Sequence, residues 1–213
     1  MEVLILYFVL FFPGVYYSGF TAAEIIPFSM LRELSRTLTY SIPSIALLWY
    51  IITDKKGFTS LEKIRPRKPD LVSFGIGLPG LIVISLFVSL LAFIFSRYMG
   101  LATPPKIEGP SSVMGFVVLV FSCLGTGYLE ESFFRYYLLT RLETVVPKMA
   151  LRIALSTLLF SLCHMYEGPW GLLNSVLAGV FLSVLFIRYR SIHGIAWAHG
   201  AYNLFVYTMG TLL

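Results

Sequence analysis

The chain has 213 residues, 57% of them apolar and only 13% charged, and its mean hydropathy is +0.82. Such values exclude an ordinary soluble domain and describe a polytopic membrane protein of one-domain size. The formal net charge of +5 could suggest an anionic partner, but the basic residues stand at the ends of apolar runs, where they act as topology signals. The expected partner is therefore the lipid bilayer, and no nucleic acid.

The sequence begins Met1-Glu2 with no basic n-region and no small-residue cleavage site, so its first apolar run is read as a retained span. Runs near the length of about 20 residues that crosses a bilayer occur at 3–20, 37–53, 71–96, 112–140, 150–164, 171–187 and 192–213. Two are short and one is long. Between the first two, Ile25, Ile26, Phe28, Met30, Leu31 and Leu34 suggest an amphipathic or interfacial helix broken near Pro27. The fold expected is all-α, a transmembrane bundle of about seven to eight helices with its polar residues on buried helix faces.

Lys55, Lys56, Lys63, Arg65, Arg67 and Lys68 crowd into one short loop, which the positive-inside rule places in the cytoplasm. Alternate threading then puts Arg141, Lys148, Arg152, Arg188 and Arg190 on the same side and leaves Arg32, Arg36, Arg97 and Lys106 outside. This describes a multi-pass protein of the plasma membrane with a cytoplasmic N-terminus and an external C-terminus. Gly75, Gly77, Pro79 and Gly80 predict a kink in the third run, and residues 96–112, with Pro104, Pro105 and Pro110, an external loop that could act as a lid. The turn residues of 164–170 place His164 at a helix end, beside a cavity or a re-entrant turn. Cys123 and Cys163 are expected to be unpaired thiols in apolar runs, and His193 an interfacial residue. No internal repeat is detectable.

Chemistry is concentrated in Glu130, Glu131 and Arg135, ionisable groups that cost about 3 kcal/mol each at such depth and are kept for function or tight pairing. On a helix Glu131 and Arg135 stand at i and i+4, the better orientation for an ion pair, while Glu130 points about 100° away and is left for another task. Phe160 and His164 share one helix face, as do His199 and Asn203. Glu130, His164, His199 and Asn203 together supply a general base, a second proton carrier and oxyanion donors, the parts of a hydrolase. The same residue types also suit a structural ion-pair network or a proton relay, and Asn203 alone suits interhelical hydrogen bonding. Cys163 and His164, at i and i+1, face apart and do not make a nucleophile pair. Glu130, His164 and His199 could hold zinc, although the sequence has no His-Glu-x-x-His motif and their spacing is not diagnostic. Phe133, Phe134, Tyr136 and Tyr137 are read as packing residues.

In order, Glu130-Glu131-Ser-Phe-Phe-Arg135, Phe160-Ser-Leu-Cys-His164 and His199-Gly-Ala-Tyr-Asn203 resemble the EExxxR, FxxxH and HxxxN motifs of the CPBP family, the type II CAAX prenyl endopeptidases and bacteriocin-processing or immunity (Abi) proteins. The resemblance divides the chain into N-terminal spans at 1–111 and a catalytic membrane core at 112–213, within one integrated domain. It implies an intramembrane endopeptidase in which Glu130 and His164 activate water, His199 and Asn203 stabilise the oxyanion, and Glu131 and Arg135 form a structural pair. Whether such an enzyme is metallo- or glutamate-type stays open at this point. A non-catalytic immunity or peptide-binding protein and a proton-coupled transporter remain the rival readings. Prenylated CAAX proteins, bacteriocin precursors and membrane-bound signalling proteins would each suit a hydrophobic cavity opening to the cytoplasmic leaflet or to lipid.

Overall fold

The computed structural model describes residues 1–11, 25–54, 65–99 and 106–212. Lys55, Lys56 and Lys63, Pro104 and Pro105 of the proposed lid, and the second half of the first apolar run lie outside the described residues. The architecture is all-α. Its helices are α1 (Glu2–Leu10), α2 (Met30–Arg36), α3 (Ile42–Asp54), α4 (Lys68–Met99), α5 (Val113–Glu131), α6 (Leu139–Leu142), α7 (Met149–Leu162), α8 (Gly168–Tyr189) and α9 (Ile192–Leu212). Among the described residues, the segments Lys68–Met99, Val113–Leu142 and Met165–Tyr189 are long and apolar enough to cross a membrane, and α7 is a shorter apolar helix. On α4, Leu71, Val83, Leu86, Leu90 and Phe93 are all more than half exposed, a face suited to lipid and not to water.

The interfacial segment is helical only after Pro27. Ile25–Ile26 pairs in parallel with Lys106–Ile107, and α2 begins at Met30, where the Ser29 side chain accepts the Arg32 backbone N–H. α2 and α3 are joined by a π-helical turn, Thr37–Ser41, directly before Pro43. Proline lacks the N–H and crowds the carbonyl four residues back, so a widened turn is the expected response. A second π turn, Ser132–Leu138, joins α5 to α6 and makes one rod of them. The expected kink in α4 does not end the helix, which runs unbroken through Pro79. Gly77 and Gly80 serve packing: a Cβ on Gly77 would lie 2.8 Å from the Ala198 Cβ, and one on Gly80 would run into the Phe181 ring.

Two apolar clusters fill the bundle. One gathers Phe133, Phe134, Tyr137 and Phe160 around α1 and α3, and the other gathers Leu81, Leu182, Phe186 and Ile195 between α4, α8 and α9. The aromatic residues of the motif segment accordingly pack: Phe133, Phe134 and Tyr137 are fully buried, and Tyr136 meets the Phe186 ring edge-on. α1 is pinned across both motif-bearing regions, with the Tyr7 hydroxyl donating to the Leu159 carbonyl at 3.2 Å and the Tyr137 hydroxyl donating to Glu2 at 2.8 Å.

Charge separates the two ends of the bundle. At one end Arg67 donates to the Arg190 carbonyl at 2.9 Å, Glu143 pairs with both Arg152 and Arg190 at 3.1 Å, and Arg141 pairs with Glu2 at 3.2 Å. The capped starts of α2 and α5 and the short parallel pair occupy the other end. His193, expected at an interface, is instead buried between Trp49 and Trp197, with the Tyr128 hydroxyl 2.8 Å from its Nδ1. Three aromatic residues from α3, α5 and α9 converge there, which a local reading of the Arg188-Tyr-Arg190 neighbourhood could not foresee. Cys123 and Cys163 are both free thiols.

Candidate active site

The site depends on how closely α5 and α9 approach. A Cβ on Gly127 would stand 2.6 Å from the Ala196 carbonyl oxygen and 2.9 Å from the Gly200 nitrogen, and one on Gly200 would stand 3.0 Å from the Cys123 carbonyl oxygen. Only glycine permits backbones to cross at that distance, the usual device of helix association where water supplies no driving force. The crossing sets His199, beside Gly200, against the end of α5. Its Nδ1 lies 2.7 Å from Glu131 Oε1 and its Nε2 lies 3.7 Å from Glu130 Oε2.

Glu131 Oε1 also accepts from Arg135 Nη1 at 3.1 Å, and both side chains of this pair are completely buried. Arg135 reaches toward the Gly179 carbonyl at 3.5 Å and lies over the Phe160 ring, 4.2 Å from its centroid. Glu131 is thus shared between a guanidinium and an imidazole. The i, i+4 spacing revealed the first partner, but the second depends on the α5–α9 crossing and had no local signal.

Phe160 has two parts in this arrangement. Its ring covers Arg135, a cation–π contact in a dry environment, and its carbonyl oxygen lies 3.0 Å from His164 Nδ1. Because a carbonyl only accepts, Nδ1 carries the proton and the Nε2 lone pair of the neutral ring is left available. His164 comes just after Cys163, the C-cap of α7, and a short 3-10 turn, Met165–Glu167, leads to Gly168 at φ 76° and Pro169 in the first turn of α8. That left-handed glycine reverses the chain at the rim of a cavity, as the turn residues predicted.

The cavity has a volume of about 160 Å³, and Glu130, His164, His199 and Asn203 all line it. Glu130 Oε2 is buried and has no hydrogen-bond partner among the described residues. A carboxylate oxygen left in this way is costly unless something not held by the protein itself, such as water or substrate, satisfies it. Tyr166, Glu167, Asn174 and Tyr202 also line the space and were not singled out from sequence. Asn174 donates to the Tyr202 hydroxyl at 3.1 Å, and an amide in the apolar run 171–187 was a signal that could have found it. Arg36, read only as an external residue, and Glu33, not singled out from sequence, stand at the cavity as well: Ser122 donates to Glu33 at 2.6 Å, and Arg36 donates to Ser122 and Thr126 at 3.2 and 3.0 Å. These groups make the cavity polar where a hydrophobic one was expected. Among the described residues, no three His, Cys, Asp or Glu side chains are grouped so as to hold a metal ion.

Residues 112–205 match the family described as type II CAAX prenyl endopeptidase Rce1-like, in agreement with the resemblance carried by the three motifs. No curated protein and no solved structure matches the chain.

Proposed function

With residues 112–205 matching a CAAX-endopeptidase family and the chain a membrane protein, we propose an intramembrane endopeptidase that hydrolyses a peptide bond of a membrane-associated or lipidated protein. The observation that carries this reading is the hydrogen-bond-free Glu130 carboxylate oxygen in the cavity wall, with the His199 imidazole facing it. Water in the cavity gives a proton to Glu130 as its oxygen bonds to the scissile carbonyl carbon, and His164, through Nε2, holds and orients that water. The oxyanion that forms accepts from the Asn203 amide and from His199 Nε2–H. For His199 to donate there while Nδ1–H binds Glu131, the ring must be an imidazolium. With it charged, Glu130, Glu131, Arg135 and His199 sum to zero, which suits a low-dielectric site. The C–N bond then breaks, and the proton held on Glu130 passes to the leaving amine. This route draws on no metal ion.

The test compares peptide termini in membranes from cells expressing the wild type or Glu130→Gln at matched levels. New termini specific to the wild type are expected, with cleavage lowered by about 10²–10⁴-fold in the variant, the range for loss of a general base. Indistinguishable profiles alongside a persisting wild-type phenotype would instead point to a peptide-binding or immunity protein. Once a substrate is in hand, Asn203→Ala should slow turnover about a hundredfold, near 3 kcal/mol for one oxyanion donor, and an unchanged rate would remove Asn203 from the mechanism.

A further inference from the structure

Taking the peptidase reading as given, we infer that the cavity receives its peptide from the non-cytoplasmic side of the membrane. The substrate class is then the extracytoplasmic part of a membrane-anchored protein or an exported peptide, not the cytosolic tail of a lipidated one.

The direction of the cavity follows from the order of its lining residues. On α5 it runs from Glu130 back through Thr126, Cys123 and Ser122 to Leu119, and on α9 from His199 forward through Asn203 to Val206 and Tyr207. α5 starts, and α9 ends, at the end of the bundle opposite the basic cluster, so both series lead away from that cluster. Toward the basic end the passage is filled: Phe133, Phe134, Tyr137 and Leu138 beyond Glu130, and Phe186 and Ile195 across from them, are each at most 1% exposed. At the opposite end Arg36 lines the cavity with its side chain 45% exposed, so solvent reaches the cavity there.

Which end is cytoplasmic follows from charge. In the sequence, eleven of the sixteen Lys and Arg residues fall in the stretches 55–68, 141–152 and 188–190, whose described members Arg67, Arg141, Arg152 and Arg190 mark one end of the bundle. Arg32, Arg36, Arg97 and Lys106 belong to the end where the cavity opens, and Arg135 is internal. Cationic loops are retained in the cytoplasm, so the mouth faces the other way. This inference departs from the expectation of a cavity opening to the cytoplasmic leaflet or to lipid.

A labelling experiment that reads no catalysis tests this. In a Cys123→Ala, Cys163→Ala background, single substitutions Leu31→Cys at the mouth end, Val145→Cys at the basic end and Thr126→Cys inside the cavity are made in the full chain. Intact cells are treated with a small, charged, membrane-impermeant methanethiosulfonate. Thiols still free after denaturation are then revealed by the mobility shift of a polyethylene glycol maleimide. Loss of the shift is expected for Leu31→Cys and Thr126→Cys in intact cells, and for Val145→Cys only after permeabilisation. Reaction of Val145→Cys in intact cells would reverse the orientation and overturn the inference. So would a Thr126→Cys thiol that reacts only after permeabilisation, or that never reacts. If the double-alanine background does not accumulate, Cys163→Ala alone leaves the native Cys123, which lines the same cavity, as the reporter. The expected pattern in a protein that produced no new termini would retain the sidedness and discard the peptidase reading, so the two can fail separately.

Discussion

Glu131–Arg135 and Glu33–Arg36 are chemically the same pair, each joined within one helical turn at 3.1 Å, yet they differ in exposure. Both members of the first are fully buried, whereas in the second Glu33 is buried and Arg36 is half in solvent. The buried pair has no water to fall back on, so each partner is held by what the protein provides: His199 for Glu131, and the Phe160 ring for Arg135. Around Arg36, hydroxyls of Ser122 and Thr126 share the charge and solvent supplies the remainder. One pair holds His199 in place at the cavity, and the other lines the cavity wall where it is partly open to solvent.

The largest effect that separates the two is expected from Arg135→Ala. It strands the Glu131 carboxylate in a dry site, and breaking a buried pair in this way costs about 3–5 kcal/mol. Thermal unfolding in mild detergent should show that loss; a variant as stable as the wild type would mean that His199 alone satisfies Glu131. Gly127→Ala probes the same network without touching a charge. Its new Cβ must push α9 away from α5, an overpacking of about 1–3 kcal/mol, and should reduce peptide cleavage as His199 draws back from Glu131. Equal cleavage by this variant would show that the backbone crossing has slack. Arg36→Ala should cost less than Arg135→Ala in the same unfolding assay, because Arg32 and the Ser122 hydroxyl still hold the Glu33 carboxylate. A cost like that of Arg135→Ala would erase the distinction between the pairs.

Much of this site was legible locally. Glu131 and Arg135 announced their pairing by spacing, and Phe160 and His164 by a shared helix face; the turn residues after His164 foretold a chain reversal. What could not be read depends on contacts between distant segments. The second partner of Glu131 lies 68 residues away and meets it only because Gly127 and Gly200 let two backbones touch. Gly77 and Gly80 of α4 looked like a weakness in a helix until their close neighbours, Ala198 on α9 and Phe181 on α8, were visible. His193 looked interfacial because its neighbours in sequence are arginines, while its neighbours in space are tryptophans. The direction of the cavity has no sequence signature, since it follows from which side of Glu130 and His199 the large aromatic residues fill.

The short helix α1 has a practical implication for anyone handling this protein. It is fastened at one end through Glu2 to Tyr137 and Arg141, and midway through Tyr7 to the carbonyl of Leu159, the residue next to Phe160 on α7. An affinity tag or a fluorescent fusion placed directly before Met1 would pull on a strut that touches two of the three motif helices. A reporter inserted in the turn near Val145, which is 72% exposed, leaves that strut undisturbed.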